Sequence, residues 1–159
     1  IDQVSVNTKA MQWGADQEDA AKRLFMDMNF PDGEIVELSS CKHDTIPHFA
    51  ASPDGAIYGR DGGDIRIIEV KCPNINTYMK YRTLIHDAES LKDTEPKYYW
   101  QMMAEMSCTN AKSGIFITYC PWLSKPIHWT EIERNEEDIK LMEDRVVLAN
   151  KFIDEIINL

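Results

Sequence analysis

The stretch from Ile65 to Cys72, Ile-Arg-Ile-Ile-Glu-Val-Lys-Cys, constrains the chain more than any other. It is a short, β-branched run bounded by Asp61-Gly62-Gly63 and Pro73, so it reads as a strand. Side chains alternate along a strand, which puts Glu69 and Lys71 on one face and Ile68, Val70 and Cys72 on the other. Two charges inside so apolar a segment are not routine surface, because charge is buried only where something compensates it.

Around this strand, helix and strand signals follow in an order that limits the architecture. A first helix is expected from about Thr8 to Met28, with Trp13, Ala20, Leu24 and Met28 near one stripe and Pro31-Asp32-Gly33 as its stop. Short strands are expected at Val36 to Cys41, Phe49 to Ser52 and Ala56 to Tyr58, separated by turn clusters such as Pro53-Asp54-Gly55. Asn74 caps a helix running toward Ile85, and Thr94-Glu95-Pro96 opens another that carries Tyr98, Gln101 and Glu105 on neighbouring turns. Strands at Gly114 to Tyr119 and Ile127 to Ile132 precede a closing helix, Glu136 to Ile157, whose core face is Ile139, Met142, Val146, Ile153 and Ile157. Four helices and about five strands in this order imply an α/β or α+β sandwich with a mixed central sheet. With 159 residues, no internal repeat and no Ser/Gly-rich linker, residues 1–159 form a single domain.

Composition narrows the function classes. At 43% hydrophobic and 28% charged residues the chain is globular, and it has neither an apolar run of membrane-spanning length nor a signal peptide, so it is expected inside the cell. Cys41, Cys72, Cys108 and Cys120 match no paired metal-ligand spacing and read as reduced, mostly core thiols. A net charge of -10 argues against a general polyanion binder. The charge is uneven, however: residues 71–125 hold seven Lys and Arg against five Asp and Glu, leaving ten against twenty-two elsewhere. One local surface can still meet phosphates. The first residue is Ile1 rather than Met, so the natural chain is expected to begin further upstream.

Chemistry concentrates at Ser52-Pro53-Asp54-Gly55 and Glu69-Val70-Lys71, with fourteen residues between Asp54 and Glu69. A hairpin that brings the two carboxylates together sets like charges against each other, at about 4 kcal/mol for 4 Å and an effective dielectric near 20. A divalent cation relieves that repulsion. Mg²⁺ suits such a place because it takes one or two carboxylates, keeps waters and accepts phosphate oxygens. Lys71 then faces the attacking water or the scissile phosphate. Read singly, Pro-Asp-Gly is also an ordinary turn and Glu-x-Lys an ordinary sheet edge. The sequence holds its own control: Pro31-Asp32-Gly33 is a second such turn, but no Glu-x-Lys follows it at that spacing. His43, His48, His86 and His128 show no relay or ligand spacing, and no phosphate-binding Gly-rich loop or nucleophile-elbow Ser is present.

Pro53-Asp54 followed by Glu69-Val70-Lys71 resembles the PD-(D/E)xK nuclease signature. Trp13-Gly14-x-x-x-Glu18, Ser52-Pro53-Asp54-Gly55, Glu69-Val70-Lys71-Cys72-Pro73, Tyr98-x-x-Gln101 and Ile132-Glu133-Arg134 stand in the order seen in phage lambda-type alkaline exonucleases, the YqaJ-like viral recombinase nucleases. The resemblance implies a restriction-endonuclease-like core, with a mixed sheet flanked by helices. It implies that Asp54, Glu69, the Val70 carbonyl and Glu18 hold catalytic Mg²⁺, with Mn²⁺ able to substitute. Lys71 would orient or activate the attacking water, and Gln101 would position water or substrate. Tyr98, Lys80 and Arg82 are the expected DNA contacts.

The same resemblance implies 5′ to 3′ digestion of duplex DNA ends in a bacterial host, by a phage or prophage protein. It also implies a ring of subunits, commonly a trimer, and a single-strand annealing protein as partner. Two departures stand out. Met103 occupies the place of a second Gln, and only twelve residues precede Trp13, where the family carries a helical segment that recognises the 5′ phosphate. The alternatives are a PD-(D/E)xK endonuclease of the restriction or CRISPR-associated kind and a DNA-end-binding module without turnover.

Overall fold

The computed structural model describes residues 9–59 and 62–158; Thr8, Asp61 and the segment before Trp13 as far as residue 8 lie outside them. The elements run α1 (Lys9–Asn29), β1 (Cys41–Lys42), β2 (Ala50–Ala51), β3 (Gly55–Tyr58), β4 (Ile65–Lys71), α2 (Ile75–Leu84), α3 (Ala88–Thr94), α4 (Pro96–Thr109), β5 (Ser113–Tyr119), β6 (Ile127–Glu133) and α5 (Glu136–Ile157). A four-stranded sheet in the order β3-β4-β5-β6 is mixed: β4 and β5 pair parallel, and the outer pairs are antiparallel. This is the expected α/β class.

β4 is buried from Ile67 to Val70, as a central strand covered on both faces must be. One face packs Ile67 and Phe116 against Tyr81, Leu91, Tyr99, Met102 and Met106 of the later helices. The other packs Ile68, Val70, Ile115 and Ile117 against Ala21 and Phe25 of α1. The helices are set by local chemistry. Asn74 caps α2 through Thr77, Pro96 opens α4, Asn110 closes it at φ 57°, and Asn135 with three acidic residues starts α5.

Several sequence expectations need correction. Val36 makes only an isolated bridge to Ala56, and Cys41–Lys42 pairs with Ala50–Ala51 in a separate two-stranded sheet, so the strands expected at Val36 to Cys41 and Phe49 to Ser52 shrink to two residues each. A fifth helix, α3, exists because Asp87 and Ser90 form a capping box that outweighs the polar content of the segment. On α1 the buried stripe is Ala21, Phe25, Met26 and Lys22, while Trp13 and Met28 are exposed. Lys22 disguised that stripe. Its amine is held by Glu18 at 2.7 Å and Glu37 at 3.2 Å, which lets its stem go under. On α5 only Ile139 is buried; Ile153 and Ile157 face outward with Leu148, Phe152 and Ile156.

Gly114 is sterically required. A Cβ on Gly114 would come within 2.6 Å of Met102 Cε and 2.8 Å of Ile67 Cδ1, both in the core. Gly114→Ala is therefore expected to cost about 1–3 kcal/mol through overpacking, read as a lower urea midpoint. An unchanged midpoint would show that Met102 swings clear freely.

Candidate active site

The β3–β4 hairpin places the first acid by hydrogen bonding. Its register pairs Gly55 with Ile68; just outside it, the Asp54 N–H donates to the Ile68 carbonyl at 3.0 Å, and the Val70 N–H donates to Asp54 Oδ2 at 2.8 Å. The turn carboxylate thus takes the acceptor role a neighbouring strand would supply. Glu69 lies between these two contacts in sequence, 1% exposed, on the face covered by α4. There the Gln101 side-chain amide donates at 2.7 Å to Glu69 Oε1 and at 3.0 Å to Glu105 Oε1. The Lys71 ammonium also donates to Glu69 Oε1, and it stands 4.6 Å from the centre of the Tyr98 ring.

Asp54 and Glu105, both close to Glu69, are shifted by burial and by that closeness. Burial and then the charge of Glu69 push Asp54 up to about 6, against the opposing Val70 N–H and Lys71. Burial, with Glu69 next, pushes Glu105 up to about 9, so Glu105 carries a proton at neutral pH. Lys71 is affected oppositely. Burial works to lower it, but Glu69, followed by Asp54, outweighs that and raises it, so it stays charged. Cys72 is pushed up to about 11 by burial and by the charges of Glu18 and Asp54, which keeps its thiol protonated.

Glu69 Oε2 is buried and has no hydrogen-bond partner, as is Glu105 Oε2. Such an orphaned oxygen beside a second carboxylate is the mark of a place for a cation. Among the described residues no three His, Cys, Asp or Glu side chains gather into a complete ligand set. The fit is therefore to a hard cation that takes two carboxylate groups and fills its remaining positions with backbone, water or phosphate oxygen, not to a zinc cage.

The structure thus brings Asp54, Glu69, Lys71 and Gln101 together. Glu18 faces the same cluster from α1, near enough for its charge to act on Asp54 and Cys72, and its carboxylate is shared with Lys22. Tyr98 packs against Lys71, Tyr81 and Phe116. Lys80 pairs with Glu95 at 3.5 Å, while Arg82 lies by the Tyr78 hydroxyl and no described carboxylate pairs with it. Met103, where a second Gln was expected, is fully buried in the core. The Ile132-Glu133-Arg134 block is structural: Arg134 Nη1 donates to the carbonyls of Met106 at 2.7 Å and Ala111 at 3.2 Å, tying the end of α4 to β6. His43, stacked on Phe49, and His128, on the Ile85 carbonyl, are likewise structural.

The residue that sequence reasoning left without a role is Glu105. Its signal was present, since Gln101 and Glu105 are four apart on one helix face, the spacing at which amide and carboxylate meet.

Comparison with known proteins follows the same lines. The family model described as the YqaJ-like viral recombinase domain matches residues 2–112. Among solved structures, the alkaline exonuclease LHK-Exo from Laribacter hongkongensis is 26% identical, with 96% of this chain and 74% of that chain covered at a TM-score of 0.69. LHK-Exo in complex with dAMP gives 28% identity, 97% and 73% coverage and a TM-score of 0.75. A phage-related exonuclease from Haemophilus somnus 129PT, 17% identical over 98% of this chain and 75% of that one at a TM-score of 0.67, shares the fold. No curated protein matches. No helix among the described residues is long and apolar enough to cross a membrane.

Proposed function

The chain belongs to the YqaJ-like viral recombinase domain family, and on that premise we propose that it is a Mg²⁺-dependent exonuclease acting on the ends of linear duplex DNA. The observation that carries the reading is Glu69, a buried carboxylate with one oxygen unpartnered, flanked by Asp54, Lys71 and Gln101. Asp54 and Glu69, with the Val70 carbonyl and the nearby Glu18, would hold the cation. Bound there, a divalent ion supplies charge neutralisation for a phosphodiester under attack, and Mn²⁺ would serve in its place.

The chain's own residues supply the rest. Lys71, held charged by Glu69 and faced by Tyr98, stabilises negative charge developing on the phosphate. Gln101, whose amide donates to both Glu69 Oε1 and Glu105 Oε1, fixes the Glu69 carboxylate and leaves its Oε2 for the cation. Digestion proceeds 5′ to 3′ and leaves a 3′ single strand for an annealing protein in the bacterial cytoplasm. The subunits assemble as a ring, a trimer, which the apolar outward face of α5 supports.

Linear 5′-phosphorylated duplex and closed circular duplex, each with Mg²⁺ or with EDTA, test this together with Asp54→Asn. Linear DNA alone should disappear, only with metal, and not in the variant. Cleavage of the circle would move the assignment to an endonuclease, and stable binding of ends without hydrolysis would make it an end-binding module.

A further inference from the structure

β6 is an outer strand of the sheet, and at its start lies a cleft of about 710 Å³ walled by Leu24 and Met28 of α1, Arg82 of α2, and Lys125, Ile127 and Trp129. No Asp or Glu lines it, in a chain that has 27 of them. Neither cation is neutralised: no described carboxylate pairs with Arg82 or Lys125, whereas Lys80, one half-turn earlier on α2, is paired with Glu95. The Tyr78 hydroxyl donates to the Lys125 carbonyl at 2.8 Å, which anchors the β5–β6 connection to α2.

The sheet register relates this cleft to the candidate active site. Lys71 pairs with Thr118, and Thr118 with His128, so Lys71 and the start of β6 lie at the same end of the sheet, with Lys71 turned to the α4 face and Ile127 and Trp129 to the α1 face. Two strand spacings separate them, about 10 Å. A DNA strand with a phosphate at Lys71 would pass round that end of the sheet to reach the cleft, at least about three steps of single-strand rise away.

From this lining and placement we infer that the β6 cleft seats an unpaired DNA strand that leaves the reacting phosphate round the end of the sheet, an assignment that rests on the nuclease reading. Arg82 and Lys125 take the phosphates. Leu24, Met28 and the half-buried Trp129 present the apolar and aromatic surface on which unstacked bases and sugars lie. The apolar wall selects a single strand, because an intact duplex turns its phosphates outward and keeps its base faces covered.

Anisotropy of a fluorescein-labelled (dT)15 strand and of a blunt duplex of equal length, both in EDTA from 50 to 200 mM NaCl, tests the cleft with Arg82→Ala/Lys125→Ala and with Met28→Glu. The double variant should bind the single strand at least tenfold more weakly, with the slope of log affinity against log salt reduced by about 1.4, for two contacts at 0.7 each. Met28→Glu should weaken the single strand more than the duplex. Lys151→Glu, on the exposed end of α5, should leave both unchanged. Circular dichroism checks that each variant is folded. Single-strand affinity within twofold of wild type in folded double and Met28 variants overturns the assignment, as does an equal loss for strand and duplex. Mg²⁺-dependent hydrolysis by the wild-type chain, measured alongside, keeps the two readings separate: its absence overturns the nuclease, and its presence with unaltered binding overturns the cleft alone.

Discussion

Lys71→Ala lowers the hydrolysis rate of a linear duplex by about 10²–10³-fold, the loss expected when one preorganised donor to a developing charge is removed. The structure makes the effect specific to the reaction. Lys71 is a quarter exposed, its charge is secured by the carboxylate it touches, and its ammonium caps no helix and fills no core. The variant should therefore still fold and still bind DNA ends, so the loss appears in the turnover rate under saturating DNA and single-turnover conditions. A variant retaining more than a tenth of the wild-type rate would remove Lys71 from the reaction.

The second large effect concerns Glu105 and runs through stability. Burial, then Glu69, raises its carboxyl from an ordinary value of 4.5 to about 9, so the folded chain holds a proton that the unfolded chain releases. Across that interval the unfolded state binds fewer protons, and stability therefore falls as pH rises. Asp54, raised from 3.8 to about 6, adds a smaller loss of the same sign at lower pH. Glu105→Gln keeps an amide beside Gln101 and cannot ionise. It should be more stable than wild type at pH 9, by up to several kcal/mol, and close to wild type at pH 5. Urea melts at the two pH values in EDTA read this directly. Parallel losses in the two proteins would show that Glu105 is already ionised in the folded state.

Much of this arrangement was legible in the sequence, and the boundary has physical causes. β4 could be read because its charges alternate within an apolar run, and Asp54 because a turn fixes which residue meets the neighbouring strand. The closing helix was correct in extent but not in burial. Its apolar residues repeat at helical spacing to the end, and periodicity alone does not tell that Ile153 and Ile157 stay exposed. The stripe of α1 was misplaced because Lys22 is buried by pairing with two acids, one from outside the helix. Glu105 had no role in the sequence because its chemistry is collective: a lone Glu on a helix is unremarkable, and only its burial, with Glu69 beside it, makes it a proton holder.

The parallel pairing of β4 with β5 has a consequence for what counts as a self-sufficient piece of this protein. The family similarity spans residues 2–112 and ends one residue before β5 begins. A fragment cut there would keep Asp54, Glu69, Lys71, Gln101 and Glu105. It would lose every backbone partner that β5 gives to Arg66 through Lys71. The strand that carries the acids would become a bare, apolar rim, open to adhesion by any other extended chain. The stretch matched to the family is thus shorter than the stretch that can stay folded and dispersed in water.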